Sequence, residues 1–203
     1  MNNYNFITFE GIEGCGKSTQ VKKLQQYFID NNIDFVTTRE PGGVSFSEQI
    51  RNILLSSSNN SISAKTELLL NFASRIEHID KKIKPALKLN KKVICDRFFD
   101  STFAYQGYAM GLDLSQIELI KKISIGDFAP DITFLIDLPI ETACERIKNR
   151  SNNNRYDEMS FSFHEKVRQG FLDLANNNSR IFIIDGLQNI DDISNKIIQK
   201  LID

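Results

Sequence analysis

Net charge is nearly absent from this sequence: 25 Lys and Arg stand against 26 Asp and Glu, leaving −1 at neutral pH with a pI near 6.2. No global basic field therefore draws the chain to a nucleic-acid polymer, and any group that binds phosphate has to be a local one. Cysteine is scarce as well. Cys15, Cys95 and Cys144 are an odd, widely spaced set without a C-x-x-C pair, which excludes a thiolate zinc cluster and fits a reducing compartment. His78 and His164 are too isolated for a metal site and lack a serine or cysteine partner, so neither is assigned a catalytic role. Long apolar runs are missing too. The opening MNNYNFITFE has no basic segment ahead of a long apolar one, and no window approaches the ~18 uninterrupted apolar residues of a membrane span. The expectation is a cytoplasmic protein without a membrane partner.

What the 203 residues do contain, at 41% hydrophobic, is enough to bury one substantial core, and the length favours a single domain over 1–203. Short apolar runs at Phe6–Phe9, Phe35–Thr37, Val93–Cys95, Ile132–Leu138 and Ile181–Ile184 read as strands. Between them, amphipathic stretches predict helices over Lys17–Asn31, Phe46–Leu55, Lys65–Leu89, Ser101–Met110, Ser115–Ile123, Glu141–Arg150, Ser160–Asn176 and Asp191–Leu201. Strands separated by helices imply a parallel sheet, and runs as continuous as Thr133-Phe134-Leu135-Ile136 imply one covered on both faces. The class is α/β, with five parallel strands.

Gly11-Ile12-Glu13-Gly14-Cys15-Gly16-Lys17-Ser18 matches G-x-x-x-x-G-K-[ST] between the first strand and the first helix, where that motif makes a phosphate cradle. Its glycines let successive N–H groups turn inward at a β-phosphate, and the helix beginning near Lys17 adds its positive end. Lys17 neutralises the β- and γ-phosphates, Ser18 offers a hydroxyl to magnesium, and Thr19 extends the contact towards the α-phosphate. Cys15 reads either as a small spacer or as a thiol favoured by the helix N-terminus. No N-K-x-D sequence for guanine occurs, and the length leaves little room for motor domains, so a compact kinase remains. Asp96 ends the third strand, facing the cradle at the sheet's carboxyl edge, where a carboxylate can hold magnesium or its water. Arg97 beside it offers a planar fork of donors suited to phosphate.

Two further segments, Thr38-Arg39-Glu40-Pro41-Gly42-Gly43 and Asp96-Arg97-Phe98-Phe99-Asp100-Ser101-Thr102-Phe103-Ala104-Tyr105-Gln106-Gly107, resemble the T-R-E-P-G-G and D-R-[YFH]-x-x-S-[ST]-x-A-Y-Q-G motifs of the thymidylate kinases. The match runs in order through nearly the whole chain. It implies a P-loop nucleotide kinase fold with a mobile lid, and in-line transfer of phosphate from ATP to dTMP with magnesium, in dTDP biosynthesis. The resemblance puts Arg39 and Glu40 at the acceptor, Glu13 at its sugar 3′-hydroxyl, and Arg97 on its phosphate. It sets Arg51 near the acceptor, although surface exposure reads equally well. Phe72 and Arg75 correspond to the thymine pocket, with Phe72 stacking on the base or serving as ordinary core. The family's aromatic commonly stands four residues before the arginine, where this chain has Asn71. Thr102 and Gln106 point towards the same pocket, with Tyr105 beside the sugar 2′ carbon and Ser101 either a contact or a packing residue.

The stretch Arg146–Arg155 carries four basic residues and no acid, and reads as a lid over about 147–159. An arginine arriving there on closure would supply charge to the migrating phosphoryl group, with Arg150 and Arg155 as candidates. Members with an arginine inside the cradle would carry it where this chain has Gly14. Arg155-Tyr156-Asp157 resembles the lid motif of the bacterial subclass. A homodimer is also implied by the resemblance. The other readings are a kinase for a different small acceptor and a nucleotide-dependent switch; selection by Arg75 and Gln106, and turnover dependent on a second nucleotide, separate them.

Overall fold

In the computed structural model, which describes residues 4–56, 62–148 and 154–202, the five apolar runs form parallel strands. They are β1 (Phe6–Glu10), β2 (Phe35–Arg39), β3 (Lys92–Asp96), β4 (Ile132–Asp137) and β5 (Ile181–Asp185), in the order β2-β3-β1-β4-β5. Alternate side chains of a strand leave opposite faces of a sheet, and the core divides accordingly. Ile7, Phe9 and Ile94 join one cluster, while Phe6, Val93 and Cys95 join the other. β1 is buried at every position. β5, at the edge, exposes Phe182 and Ile183, so the expectation of strands covered on both faces holds for the centre of the sheet and not for that border.

The helices are α1 (Lys17–Asp30), α2 (Ser45–Leu55), α3 (Ala64–His78), α4 (Lys84–Lys88), α5 (Phe99–Thr102), α6 (Leu114–Ile125), α7 (Ile140–Lys148), α8 (Phe161–Asn176) and α9 (Ile190–Ile202). Leu24 and Phe28 of α1, Val167 and Phe171 of α8, and Ile193 and Ile197 of α9 pack in the first cluster; Leu68 and Phe72 of α3 and Ile117 of α6 pack in the second. Side chains cap several starts. Ser63 accepts from Thr66 N, Asp113 from Ser115 N and Ser160 from Phe163 N, each satisfying an amide that the first turn leaves open.

Two predicted helices are interrupted by wide, π-helical turns. The stretch expected as one helix over Lys65–Leu89 widens at Ile79–Ile83, just ahead of Pro85 in the first turn of α4. Proline has no N–H for the carbonyl four residues back and its ring crowds that carbonyl, so regular winding cannot pass through it. The second wide segment, Phe103–Ala109, follows α5 directly and carries Tyr105 and Gln106.

The chain leaves β1 for β2 on one side, while β3 crosses over β1 to reach β4 on the other. Such a reversal opens a crevice at the carboxyl ends of the two strands. Register aligns this edge: Asp96 pairs with Phe9 of β1 and with Arg39 of β2, so Glu10, Arg39 and Asp96 arrive together. No helix among the described residues is long and apolar enough to cross a membrane.

Candidate active site

The loop after β1 turns through positive φ at Gly11, Gly14 and Gly16, a region that costs residues with a β-carbon and suits glycine. At Gly14 a β-carbon would also lie 2.7 Å from the Ala143 carbonyl oxygen. A side chain, and hence a cradle arginine, has no room at that position. Gly16 precedes α1 in a left-handed conformation with no side-chain cap; Thr19 N turns back to Gly16 O at 3.1 Å, and no side chain competes for the amides ahead of it at the cradle. Lys17 is buried, its Nζ donating to Gly11 O at 2.9 Å and Ile12 O at 2.8 Å. These carbonyls hold the ammonium beside the cradle.

Ser18 Oγ donates to Asp96 Oδ2 at 3.0 Å. This pair of oxygens suits magnesium, which takes one or two protein ligands and completes its shell with phosphates and water. Among the described residues no group of three or more His, Cys, Asp or Glu could hold a metal ion.

Arg97 follows Asp96 with φ of 71°, and this sharp turn sends its side chain back over the cradle. Its guanidinium donates to Glu13 Oε1 at 2.9 Å, Gly11 O at 2.9 Å and Ser101 Oγ at 3.1 Å, and lies 5.1 Å over the Tyr105 ring. Tyr105 OH donates to the other Glu13 oxygen at 2.5 Å. Burial alone would raise the Glu13 carboxyl, but Arg97, Lys17 and the Tyr105 hydroxyl outweigh it and hold the group below its ordinary value. Glu10 behaves oppositely. Burial, then the Asp100 charge, push it up to about 7 against Arg97 and its bonds from Ser101 and the Phe98 amide. Arg97 thus stands between one carboxylate that stays ionised and one acid that titrates near neutrality.

The far end of the crevice is assembled from separate elements. Arg75, on α3, donates from Nε to Glu40 Oε2 at 2.7 Å and from Nη2 to Thr102 Oγ1 at 3.1 Å. Its guanidinium carbon lies 4.8 Å from the Phe72 ring centroid and 5.4 Å from that of Phe98. His78 bonds the other Glu40 oxygen through Nδ1 at 2.9 Å and Thr38 Oγ1 through Nε2 at 2.7 Å. With so many contacts fixing it, Arg75 leaves Nη1 buried without a hydrogen-bond partner. One turn or two along α3, Glu67 accepts from Gln106 Nε2 at 3.0 Å, Tyr156 OH at 2.9 Å and Arg155 Nη2 at 2.5 Å.

A cleft of about 200 Å³, open to solvent, joins the two ends. Glu13, Gly14, Gly16, Lys17 and Ser18 line its cradle side, and Asp96, Arg97 and Ser101 its middle; Glu40, Arg75, Thr102, Tyr105 and Gln106 line the rest. Arg39 and Arg51 line it from β2 and α2, steadied by Glu48 at 2.9 Å and Pro41 O at 2.9 Å respectively. Gly11, Ile12 and Cys15 contribute backbone and packing behind the cradle surface, and Thr19 is exposed outside the cleft.

Three expectations need correction or qualification. Phe72 does not line the cleft: it is 2% exposed and packs in the core, serving as a platform under Arg75 while Asn71 takes the place on the cleft wall. Arg155 also lies off the cleft, because Glu67 and the Tyr156 hydroxyl draw its guanidinium inward. Within the basic stretch, Arg146 approaches the cradle instead, with Nη1 3.5 Å from Gly14 O. Arg150 lies outside the described residues.

Glu10, Glu67, Asn71 and Tyr156 were missed as site residues. The signal for Glu67 and Asn71 was present: Glu67, Asn71 and Arg75 recur every fourth residue along α3, a polar stripe on one face. Glu10 ends an apolar strand and carried no motif to mark it.

The thymidylate kinase family model matches residues 9–197. The thymidylate kinase of Geotalea daltonii is 44% identical over 195 residues, covering 92% of this chain and 91% of that protein. That of Wolbachia pipientis from Culex pipiens is 45% identical over 201 residues, covering 98% and 94%. The crystal structure of thymidylate kinase from Ehrlichia chaffeensis has a TM-score of 0.77 to this chain at 40% identity, covering 98% of both.

Proposed function

The chain belongs to the thymidylate kinase family, and from that premise we propose how its own residues carry the family's reaction. The protein transfers the γ-phosphoryl group of ATP to dTMP with magnesium, yielding ADP and dTDP in dTDP biosynthesis. An oxygen of the dTMP phosphate forms the new bond to γ-phosphorus while the bond to the β–γ bridging oxygen breaks, and that oxygen leaves on ADP. The attacking oxygen is already ionised at neutral pH, so the residues have to align and neutralise, and no general base is needed.

The cradle amides and Lys17 take the β- and γ-phosphates, with Nζ released from the Gly11 and Ile12 carbonyls as phosphate oxygens replace them. Ser18 and Asp96 would hold magnesium, whose chemistry is to offset charge on the bridged phosphates. Arg97, steadied by Glu13 and Ser101, aims the acceptor phosphate at γ-phosphorus; Arg39 and Arg51 add positive charge on the acceptor side. Glu13, kept ionised, accepts from the sugar 3′-hydroxyl. Arg75 Nη1 donates to a thymine carbonyl, Gln106 reads the base edge, and Tyr105 and Thr102 wall the sugar side. From the basic segment over 147–159, Arg150 is the cation assigned to the migrating group, since Arg155 is committed to Glu67.

The observation that carries this reading is the unused Nη1 of Arg75, a buried donor at one end of a cleft whose other end is a phosphate cradle. A buried donor without a partner is costly, and a base carbonyl relieves it. The further expectations are a single kinase domain over 1–203, a cytoplasmic location, and a homodimer, the last supported by exposed Leu69, Leu119 and Ile123 on the adjoining helices α3 and α6. ADP release should be measured with ATP, magnesium and, in turn, dTMP, dUMP, dCMP, dGMP and AMP. Strongest stimulation by dTMP is expected; stimulation by none would favour a nucleotide-dependent switch. Light scattering in solution checks the dimer, and a monomer at micromolar concentration would overturn it.

A further inference from the structure

Glu67 sits off the reaction path, yet its buried carboxylate is the meeting point of three donors, one of them the cleft-lining Gln106. A carboxylate is acceptor only, so the end of the Gln106 amide that faces it must be the NH2 group. The carbonyl oxygen of Gln106 is thereby turned away from Glu67. We propose that Glu67 is a positioning residue for base selection: it locks Gln106 with Oε1 presented to the base, so that the pocket takes pyrimidines with an N3–H donor and rejects those with an N3 acceptor. This rests on the thymine reading of the cleft given above. Thymine and uracil carry the N3–H, whereas cytosine offers a lone pair there and would meet Oε1 acceptor to acceptor.

The lock is one-sided because Arg155 cannot change role, whereas the Tyr156 hydroxyl, which already accepts from Arg155 at 3.1 Å, can answer either a donor or an acceptor. Arg155 Nη2 donates to Glu67 Oε1 at 2.5 Å and has no acceptor capacity. Tyr156 OH and Gln106 Nε2 share Oε2, at 2.9 and 3.0 Å. In Glu67→Gln, the amide oxygen must stay with Arg155, so its NH2 group takes the place of Oε2. Gln106 can answer that donor only by turning its own carbonyl towards residue 67, which brings its NH2 group to face the base. The reading atom is inverted without changing the shape of the pocket.

The test is kcat/KM for dTMP, dUMP and dCMP in the unaltered protein, in Glu67→Gln and in Tyr156→Phe. Sites built to hydrogen-bond one partner discriminate strongly against its mismatched analogue. Glu67→Gln is therefore expected to lower the dTMP-to-dCMP ratio at least about tenfold, while the dTMP-to-dUMP ratio, where both bases carry N3–H, stays within about twofold. Tyr156→Phe removes one donor to the same carboxylate and leaves the Gln106 bond, so its dTMP-to-dCMP ratio should follow the unaltered protein. If Glu67→Gln does not accumulate folded, Glu67→Gln with Arg155→Gln serves instead: no unpaired cation remains, and the new amide still donates to the residue 67 oxygen. A uniform loss for all three acceptors, or an equal loss of selectivity in Tyr156→Phe, would overturn the proposal. An unaltered protein without preference for dTMP over dCMP would instead overturn the thymine reading on which it rests.

Discussion

The two ends of the cleft are built by different means. The cradle is local: eight consecutive residues, Gly11 to Ser18, supply its amides, its lysine and its hydroxyl, and the turn is made by the backbone. The base end is a network of side chains from β2, α3, the wide turns after α5 and the segment at 154–157. Its long-range bonds join residues 27 to 89 positions apart. A local motif can lose a functional group and keep its shape, because backbone geometry holds it. A network of buried charges cannot, because each member satisfies the desolvation of another. Cradle substitutions should therefore fall on rate, and base-end substitutions on stability as well.

The largest effect expected from this contrast is at Glu67. Truncation in Glu67→Ala strands the buried Arg155 guanidinium and leaves Tyr156 OH and Gln106 Nε2 without their acceptor. Removing one partner of a buried ion pair costs about 3–5 kcal/mol, to be read as a lower urea midpoint. A loss below about 1 kcal/mol, the range of exposed pairs, would break the comparison. Lys17→Ala comes next and acts on the other quantity. Loss of a positioned charge on the transferring phosphates should lower kcat by about 10²–10³, while the melting temperature stays close to that of the unaltered protein, since water entering the cleft can replace Nζ at the Gly11 and Ile12 carbonyls. Unfolding of Lys17→Ala on the scale of Glu67→Ala would show that the cradle, too, is held by its side chains.

The same contrast explains what could be read in advance. The strands, their parallel pairing and the cradle were legible because each depends on contiguous residues: an apolar run of five, or glycines at fixed offsets before a lysine. Arg97 and Asp96 were legible because they end a strand at the edge where α/β sheets bind ligands. Phe72 and Arg155 lie off the cleft where stacking and phosphate contact were expected of them. Each was assigned by its chemical type, aromatic for stacking and arginine for phosphate, while its placement follows from its neighbours: Phe72 packs in the core beneath Arg75, three residues on along α3, and Arg155 is drawn inward by Glu67, 88 positions away. The wide turn over Phe103–Ala109 likewise leaves no mark in a 3.6-residue periodicity.

Glu10 gives the smallest effect and lies between the two ends, beneath Arg97. Its carboxyl is pushed up to about 7 by burial and by Asp100, above the value near 4.3 of an unfolded chain. The folded state therefore binds this proton more tightly than the unfolded state does. The stabilisation is fully present below about pH 4.3 and is lost as pH rises through about 7, so this group makes the protein less stable at pH 7 than at pH 5. The difference should be on the order of 2 kcal/mol for a group shifted by this much. Glu10→Gln resembles the protonated form: its oxygen still accepts from the backbone amides of Phe98 and Ser101, and its NH2 group donates to the Ser101 hydroxyl, which reverses that one bond. Its urea midpoint should then vary less between pH 5 and 7 than that of the unaltered protein, with the two converging towards pH 5. A parallel pH dependence in both would mean that Arg97 holds Glu10 ionised throughout, which would place both acids beneath the acceptor site in the same charged state as Glu13.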